Sequence, residues 1–137
     1  MMEWSEGSEL EPQEYAIRRA DLIRYAGASG DFNPIHWSDR VAMSVGLPGV
    51  IAHGMLTMAL AGRAVSTWAG GSEAIREFGV RFTKPVIVPD NDEGTVLRVS
   101  GVVGQLRDDG TARIDITATN GDQKVLGAAR ALVRLPG

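Results

Sequence analysis

The sequence predicts an α+β fold in which a curved antiparallel sheet wraps around one long, buried helix. Three observations carry that expectation. The segment Gly54–Ala69 has the length and apolar content of a buried helix, the chain after Gly70 alternates as strands do, and Asp108-Asp109-Gly110 and Asn120-Gly121-Asp122 are turns of the hairpin kind. Hairpin-linked strands pair antiparallel, and a helix with no polar face needs a sheet to cover it. The 137 residues fit a single domain over 1–137, which is long enough to bury a core without disulfides or metal.

Taken in order, the N-terminal stretch MMEWSEGSELEPQEY is acidic, with no basic start and no apolar run, so it reads as neither a secretory nor a transit leader. Ala20–Ala28 is helix-compatible, with Leu22, Ile23 and Tyr25/Ala26 covering one side, and Gly27 and Gly30 weaken and end it. Ser29–Pro34 is a turn by composition, and Pro34 keeps Asn33 out of the α region. A short helix is expected over Ser38–Val45, with Ser38 as N-cap and Gly46 as stop, followed by a turn at Leu47-Pro48-Gly49.

In Gly54–Ala69, apolar residues lie nearly all round the helix, and the small residues Ala59, Ala61, Gly62 and Ala64 allow close approach by a sheet or a second helix. Strands are expected over Arg76–Val88, Thr95–Leu106, Thr111–Thr119 and Gln123–Val133. The clearest alternation sets Ile114 and Ile116 against Arg113, Asp115 and Thr117.

Composition narrows function by exclusion. There is no cysteine, which removes disulfide scaffolds, thiolate metal sites and cysteine nucleophiles. The net charge is −3 and the basic residues are scattered, so the stripe needed to displace counterions from a nucleic acid is missing. The longest mostly apolar stretch, Val50–Leu60, is interrupted by His53 and Thr57 and is too short to span a bilayer. A cytoplasmic location is the expectation. Ser29 and Ser44 lack the strand–elbow–helix setting of a serine nucleophile, and no Gly-x-Gly-x-x-Gly is present for a dinucleotide.

Two segments carry chemistry. Asp31 and His36 stand five positions apart across a turn stiffened by Pro34, so a carboxylate and an imidazole can address one water and exchange protons near neutral pH. The same residues also serve as ordinary turn chemistry, with Asp31 and Asn33 bonding local backbone and His36 packed beside Trp37. The second segment, Ile51-Ala52-His53-Gly54-Met55-Leu56, opens the long helix, where N–H groups lack internal partners and the helix dipole is positive. Gly54 has no side chain to keep a substrate oxygen from its N–H, an arrangement suited to a developing oxyanion. The bland alternative is close packing at Gly54 and helix capping by His53. Asp31, His36 and His53 also make up two histidines and a carboxylate, but without the spacing of a metal-binding helix, and no metal site is predicted.

Together, Tyr25-Ala26-Gly27-Ala28-Ser29-Gly30-Asp31-Phe32-Asn33-Pro34-Ile35-His36 and Ala52-His53-Gly54-Met55 resemble the motifs of the MaoC-like, R-specific enoyl-thioester hydratases and dehydratases. They are particularly similar to those of the catalytic subunits of mycobacterial-type (3R)-hydroxyacyl carrier-protein dehydratases. The likeness is close over about Ala20–Trp68 and looser in the strands. It implies a hot-dog fold and an acid–base pair, Asp31 and His36, that activates water. It further implies polarisation of the thioester carbonyl by the Gly54 N–H, supporting roles for Asn33 and His53, and an R alcohol as product.

The implied substrate is an enoyl or 3-hydroxyacyl chain on CoA or on the phosphopantetheine of an acyl carrier protein. No further cofactor is implied. A homodimer, or a heterodimer with a second hot-dog subunit, is the expected assembly. Some relatives carry a serine early in the central helix where this chain has Ala61 and Gly62, which implies a wider acyl tunnel, with Met55, Met58 and Val65 as candidate lining. A non-catalytic acyl-binding subunit and an acyl thioesterase are the alternative functions.

Overall fold

The sheet begins earlier in the chain than the sequence predicts. In the computed structural model, which describes residues 3–135, Glu9–Ile17 forms an edge strand, β1, that no alternation announced. Its acidic residues and Pro12 mask the pattern, and only Leu10 and Ile17 are buried. A register shift falls between Leu10 and Gln13, around the proline, as expected for a residue that cannot donate to a ladder and is tolerated at an edge.

After β1 come α1 (Arg19–Ser29), α2 (Asp39–Ser44) and the long α3 (Gly54–Ala69). The strands follow as β2 (Ile75–Phe82), β3 (Thr95–Leu106), β4 (Thr111–Asn120), the short β5 (Gln123–Lys124) and β6 (Leu126–Arg134). All pairings are antiparallel in the order β1-β3-β4-β6-β2, with β5 added on β4, so β1 and β2 are the edges.

Two expected strands are shorter than predicted. The one expected over Arg76–Val88 leaves the sheet after Phe82. Pro85 follows, and Val86–Val88 instead zips onto the segment before α3, with Ala52 N–H donating to Val86 O at 2.8 Å and Val88 N–H to Val50 O at 3.0 Å. The last expected strand breaks at Val125, whose N–H turns to Ala118 O on β4 at 3.0 Å.

The predicted bounds of α3 match the structure, with Gly70 closing it at φ 85° in the left-handed region. The expectation that α3 is buried all round does not hold. Ala61, Ala64, Val65, Trp68 and Ala69 are buried, while Met55, Ala59, Arg63 and Thr67 form an open stripe at four-residue spacing. Among the described residues there is one sheet and one long helix, so only one face of that helix has a partner. Trp68 seats its indole over Gly101 on β3, where a Cβ would stand 2.8 Å from the ring, and donates Nε1–H to Glu11 O at 2.7 Å. In α1, Leu22 and Ala26 are buried as expected, but Ile23 is 57% exposed because the helix turns that residue away from the sheet.

Candidate active site

The loop between α1 and α3 builds the site from local chemistry. Gly30 ends α1 at φ 78°, and the chain then descends through a ladder of side chain–backbone bonds. Ser29 Oγ accepts from Asp31 N–H at 3.1 Å, Asp31 Oδ1 from Asn33 N–H at 3.2 Å, and Asn33 Oδ1 from Ile35 N–H at 3.2 Å. Pro34 then opens a one-turn 3-10 helix ending at His36, and Trp37 Nε1–H ties back to Phe32 O at 2.9 Å. The turn does not use up the carboxylate: one oxygen of Asp31 closes the turn and leaves the other free.

That second oxygen, Oδ2, lies 4.0 Å from His36 Nε2. His36 Nδ1 sits 2.7 Å from Ile51 O; a carbonyl only accepts, so Nδ1 carries a proton, and in the neutral ring Nε2 presents a lone pair. Two acceptors at this separation suit one water donating to both, since a water at about 2.8 Å from each spans the gap. His36 is buried, whereas the Asp31 side chain is 52% exposed and keeps the pair open to solvent.

His53 is buried behind the pair. Its ring stacks on His36 with centroids 3.8 Å apart and planes at 22°, its Nε2–H donates to Asp31 O at 3.1 Å, and Tyr25 meets its edge at 4.8 Å. It does not cap α3 through its side chain, contrary to the bland alternative. Burial pushes His53 below its ordinary pKa; the Asp31 carbonyl opposes that shift and neighbouring His36 adds to it. The nitrogens and carboxylate of Asp31, His36 and His53 all lie within 4.8 Å of one another. Stacked, nearly parallel rings nevertheless send their in-plane lone pairs along separate planes rather than to one ion, and both inner nitrogens face carbonyls, so the donor set does not converge on a metal.

Gly54 is the first residue of α3, so its N–H has no partner within the helix. A Cβ there would stand 3.1 Å from the Phe82 ring, which would have to give by a few tenths of an ångström. Beside it opens a cavity of about 350 Å³, lined by Gly54, Thr57, Phe82, Lys84 and neighbours but by neither Asp31 nor His36. Met55 and Met58 line a second, open groove of about 550 Å³ along the free face of α3. Val65 does not: it is fully buried against the sheet and belongs to the core. The room expected at Gly62 is not vacant either, since the Phe78 ring packs there, 3.2 Å from where a Cβ would be.

No sequence signal marks the clamp that holds this loop to the scaffold. Asp39 accepts from Arg19 Nη2 at 2.8 and 3.0 Å and from Val50 N–H at 2.9 Å, and Arg19 Nε–H donates to Val88 O at 2.6 Å. The Val50 N–H and the Arg19 guanidinium hold the Asp39 carboxyl below its usual range. Tyr25, Phe82 and the Ile51 carbonyl were also missed as parts of the site. Only the two aromatic side chains left any trace in the sequence, and neither carried a spacing signal.

Several known proteins resemble this chain. Residues 4–121 match the family model described as a MaoC like domain. The chain is 32% identical over 121 residues to 3-hydroxybutyryl-CoA dehydratase of Methylorubrum extorquens, covering 88% of this chain and 74% of that protein. It is 44% identical over 73 residues to 3-hydroxyacyl-thioester dehydratase X of Mycobacterium tuberculosis, covering 53% of this chain and only 25% of that protein. A solved MaoC-like dehydratase superposes with a TM-score of 0.92 at 39% identity, over 96% of this chain and 40% of that one. The fold is the hot-dog fold that the motifs implied.

Proposed function

The chain belongs to the MaoC-like domain family, and on that premise we propose that it adds water to trans-2-enoyl thioesters and, in reverse, dehydrates (3R)-hydroxyacyl thioesters. The observation that carries the proposal is the 4.0 Å gap between Asp31 Oδ2, on a half-exposed side chain, and Nε2 of the buried His36. The pair holds one water and takes a proton from it as its oxygen attacks Cβ. The electrons of the C=C bond move toward the thioester oxygen, which the Gly54 N–H receives at the positive end of α3. A proton returned to Cα completes the 3-hydroxyacyl product. No electrons are gained or lost overall, so the chemistry calls for no redox cofactor. Asn33 supports the pair by holding the turn that aims it.

The thioester is proposed to ride on CoA or on the phosphopantetheine of a carrier protein, with Lys84 as the cation nearest the Gly54 cavity. Met55 and Met58 are proposed to meet the acyl chain. The open stripe on α3, the edge strand β2 and the exposed Phe32, Trp37 and Phe82 support pairing with a second hot-dog subunit, identical or not. Light scattering on the purified chain, alone and with such a subunit, tests this; a strict monomer active at full rate would remove the dimer. Among the described residues no helix is long and apolar enough to cross a membrane.

The decisive assay follows loss of enoyl absorbance with crotonyl-CoA and longer enoyl-CoAs, with chiral analysis of the product and thiol release measured in parallel. Turnover to the R alcohol with the thioester intact is expected, falling by roughly 10²–10⁴-fold in His36→Ala. Full turnover in that variant, or thiol release in place of hydration, would sink the proposal.

A further inference from the structure

His53 stands where Ser, Thr, Asp or Asn ordinarily closes a helix end, yet its side chain makes no capping bond. The ring turns the other way and touches both members of the acid–base pair, donating Nε2–H to the Asp31 carbonyl at 3.1 Å and lying face to face with His36 at 3.8 Å. Its remaining nitrogen, Nδ1, is a buried acceptor with no donor, which costs stability. The position thus gives up both a cap and a satisfied hydrogen bond, and fold stability does not explain why a histidine is there.

Resting on the assignment of Asp31 and His36 as the reacting pair, we propose that His53 is a positioning residue. With one side chain it fixes the backbone of Asp31 and the ring plane of His36, and so sets the gap in which the water sits. Asp31 Oδ1 is already tied to Asn33 N–H, and His36 Nδ1 to Ile51 O. Each therefore has one remaining freedom, tilt of the loop for Asp31 and pivoting about the Nδ1 bond for His36, and His53 removes both. The charged or titratable groups that face it are Asp31, His36 and Tyr25. Burial keeps the His53 ring neutral, so the stack forms without like-charge repulsion.

The two rings hold opposite tautomers, Nδ1–H on His36 and Nε2–H on His53, and they are the only histidines in the chain. Nitrogen-15 long-range spectra of the full chain therefore report each directly, without reference to activity. The wild type is expected to show one tautomer of each kind, and His53→Leu to turn His36 into a mixture. On enoyl thioester, kcat in His53→Leu should fall about 10²-fold, the scale of a misplacement of about 1 Å, with KM within about threefold. His53→Gln, which restores an N–H toward the Asp31 carbonyl, should recover at least about tenfold of that loss.

Wild-type kcat per folded molecule in His53→Leu, no recovery in His53→Gln, or an effect confined to KM would each overturn the positioning role. Should His53→Leu fail to fold, His53→Phe keeps a flat ring without the donor and carries the same kinetic expectation. If the wild type hydrates no enoyl thioester, the assignment of the reacting pair fails instead, and the tautomer spectra alone decide what His53 holds.

Discussion

The sheet with α3 and the loop from Gly30 to His53 are held by different forces. The scaffold is built by apolar burial: Leu97, Val99, Val103, Ile114, Val65 and Val133 are fully enclosed, and each such side chain contributes roughly 1.5–3 kcal/mol relative to exposure. The loop leaves Phe32, Trp37, Met43 and Val45 exposed and relies on turn ladders, carbonyl contacts and the Arg19–Asp39 clamp. Burial is non-directional and tolerates small shifts, whereas hydrogen bonds fix angles. The proposed site, which must aim two side chains at one water, is accordingly made of the directional kind, and stability and activity should be separable by mutation.

The largest effect expected on that separation is at Asp31. Asp31→Asn keeps a carbonyl oxygen for the Asn33 N–H and loses only the anion, so kcat should drop roughly 10²–10⁴-fold, about 3–5 kcal/mol in barrier, with the melting temperature nearly unchanged. Parallel calorimetry and kinetics check this, and a large loss of stability would mean that turn and chemistry are not separable. Trp68→Ala should do the reverse. Removing the indole from over Gly101 should cost about 3–5 kcal/mol by denaturant titration, while turnover per folded molecule stays within a few fold. Collapse of kcat in the folded fraction would show that the scaffold also tunes the site.

Asp39→Ala cuts the clamp between the two regions and should register in both readouts, with a stability loss of about 1–3 kcal/mol and a smaller fall in kcat. Its pH dependence has a definite sign. The folded-state pKa lies below the unfolded one, so the contribution of Asp39 is complete above the ordinary carboxylate value of about 4 and is lost as pH falls through the folded value. Wild type should therefore lose stability below about pH 4 more steeply than Asp39→Ala; acid titrations followed by circular dichroism check this, and equal slopes in the two proteins would contradict the clamp.

The smallest expected change is a gain. Ala128 sits at φ 45° on β6, beside the register shift opposite Gly79 and Arg81, where a Cβ is strained. Ala128→Gly should add up to about 1 kcal/mol of stability and leave turnover alone, since relief of the strain outweighs the added chain entropy. A destabilised variant in urea titration would mean that the strain is absent.

Legibility from sequence divides along a similar line. The hairpin turns, both ends of α3 and the Ser29–His36 turn were readable because glycine, proline and short polar side chains act on their immediate neighbours. Strand β1 was not readable, since charge and Pro12 hid a pattern that only pairing with β3 makes visible. The extent of β2 was overestimated because Val86 and Val88 are buried against Val50 and Ala52 rather than in the ladder, and apolar character does not say which partner buries it.

By itself the sequence singled out the residues proposed to carry the chemistry, an acid and an imidazole on one stiff turn ahead of a helix that opens on glycine. Tertiary structure alone decided how they work. The Ile51 carbonyl, 15 residues from His36, sets its tautomer, and His53, 22 residues from Asp31, binds that residue's backbone while packing on the imidazole. Phe82, brought over by the sheet, crowds the helix tip, where a Cβ on Gly54 would press against its ring at 3.1 Å. Each of these contacts joins segments distant in the chain, and local preference has no reach over such distances; only the packed fold brings them within bonding range.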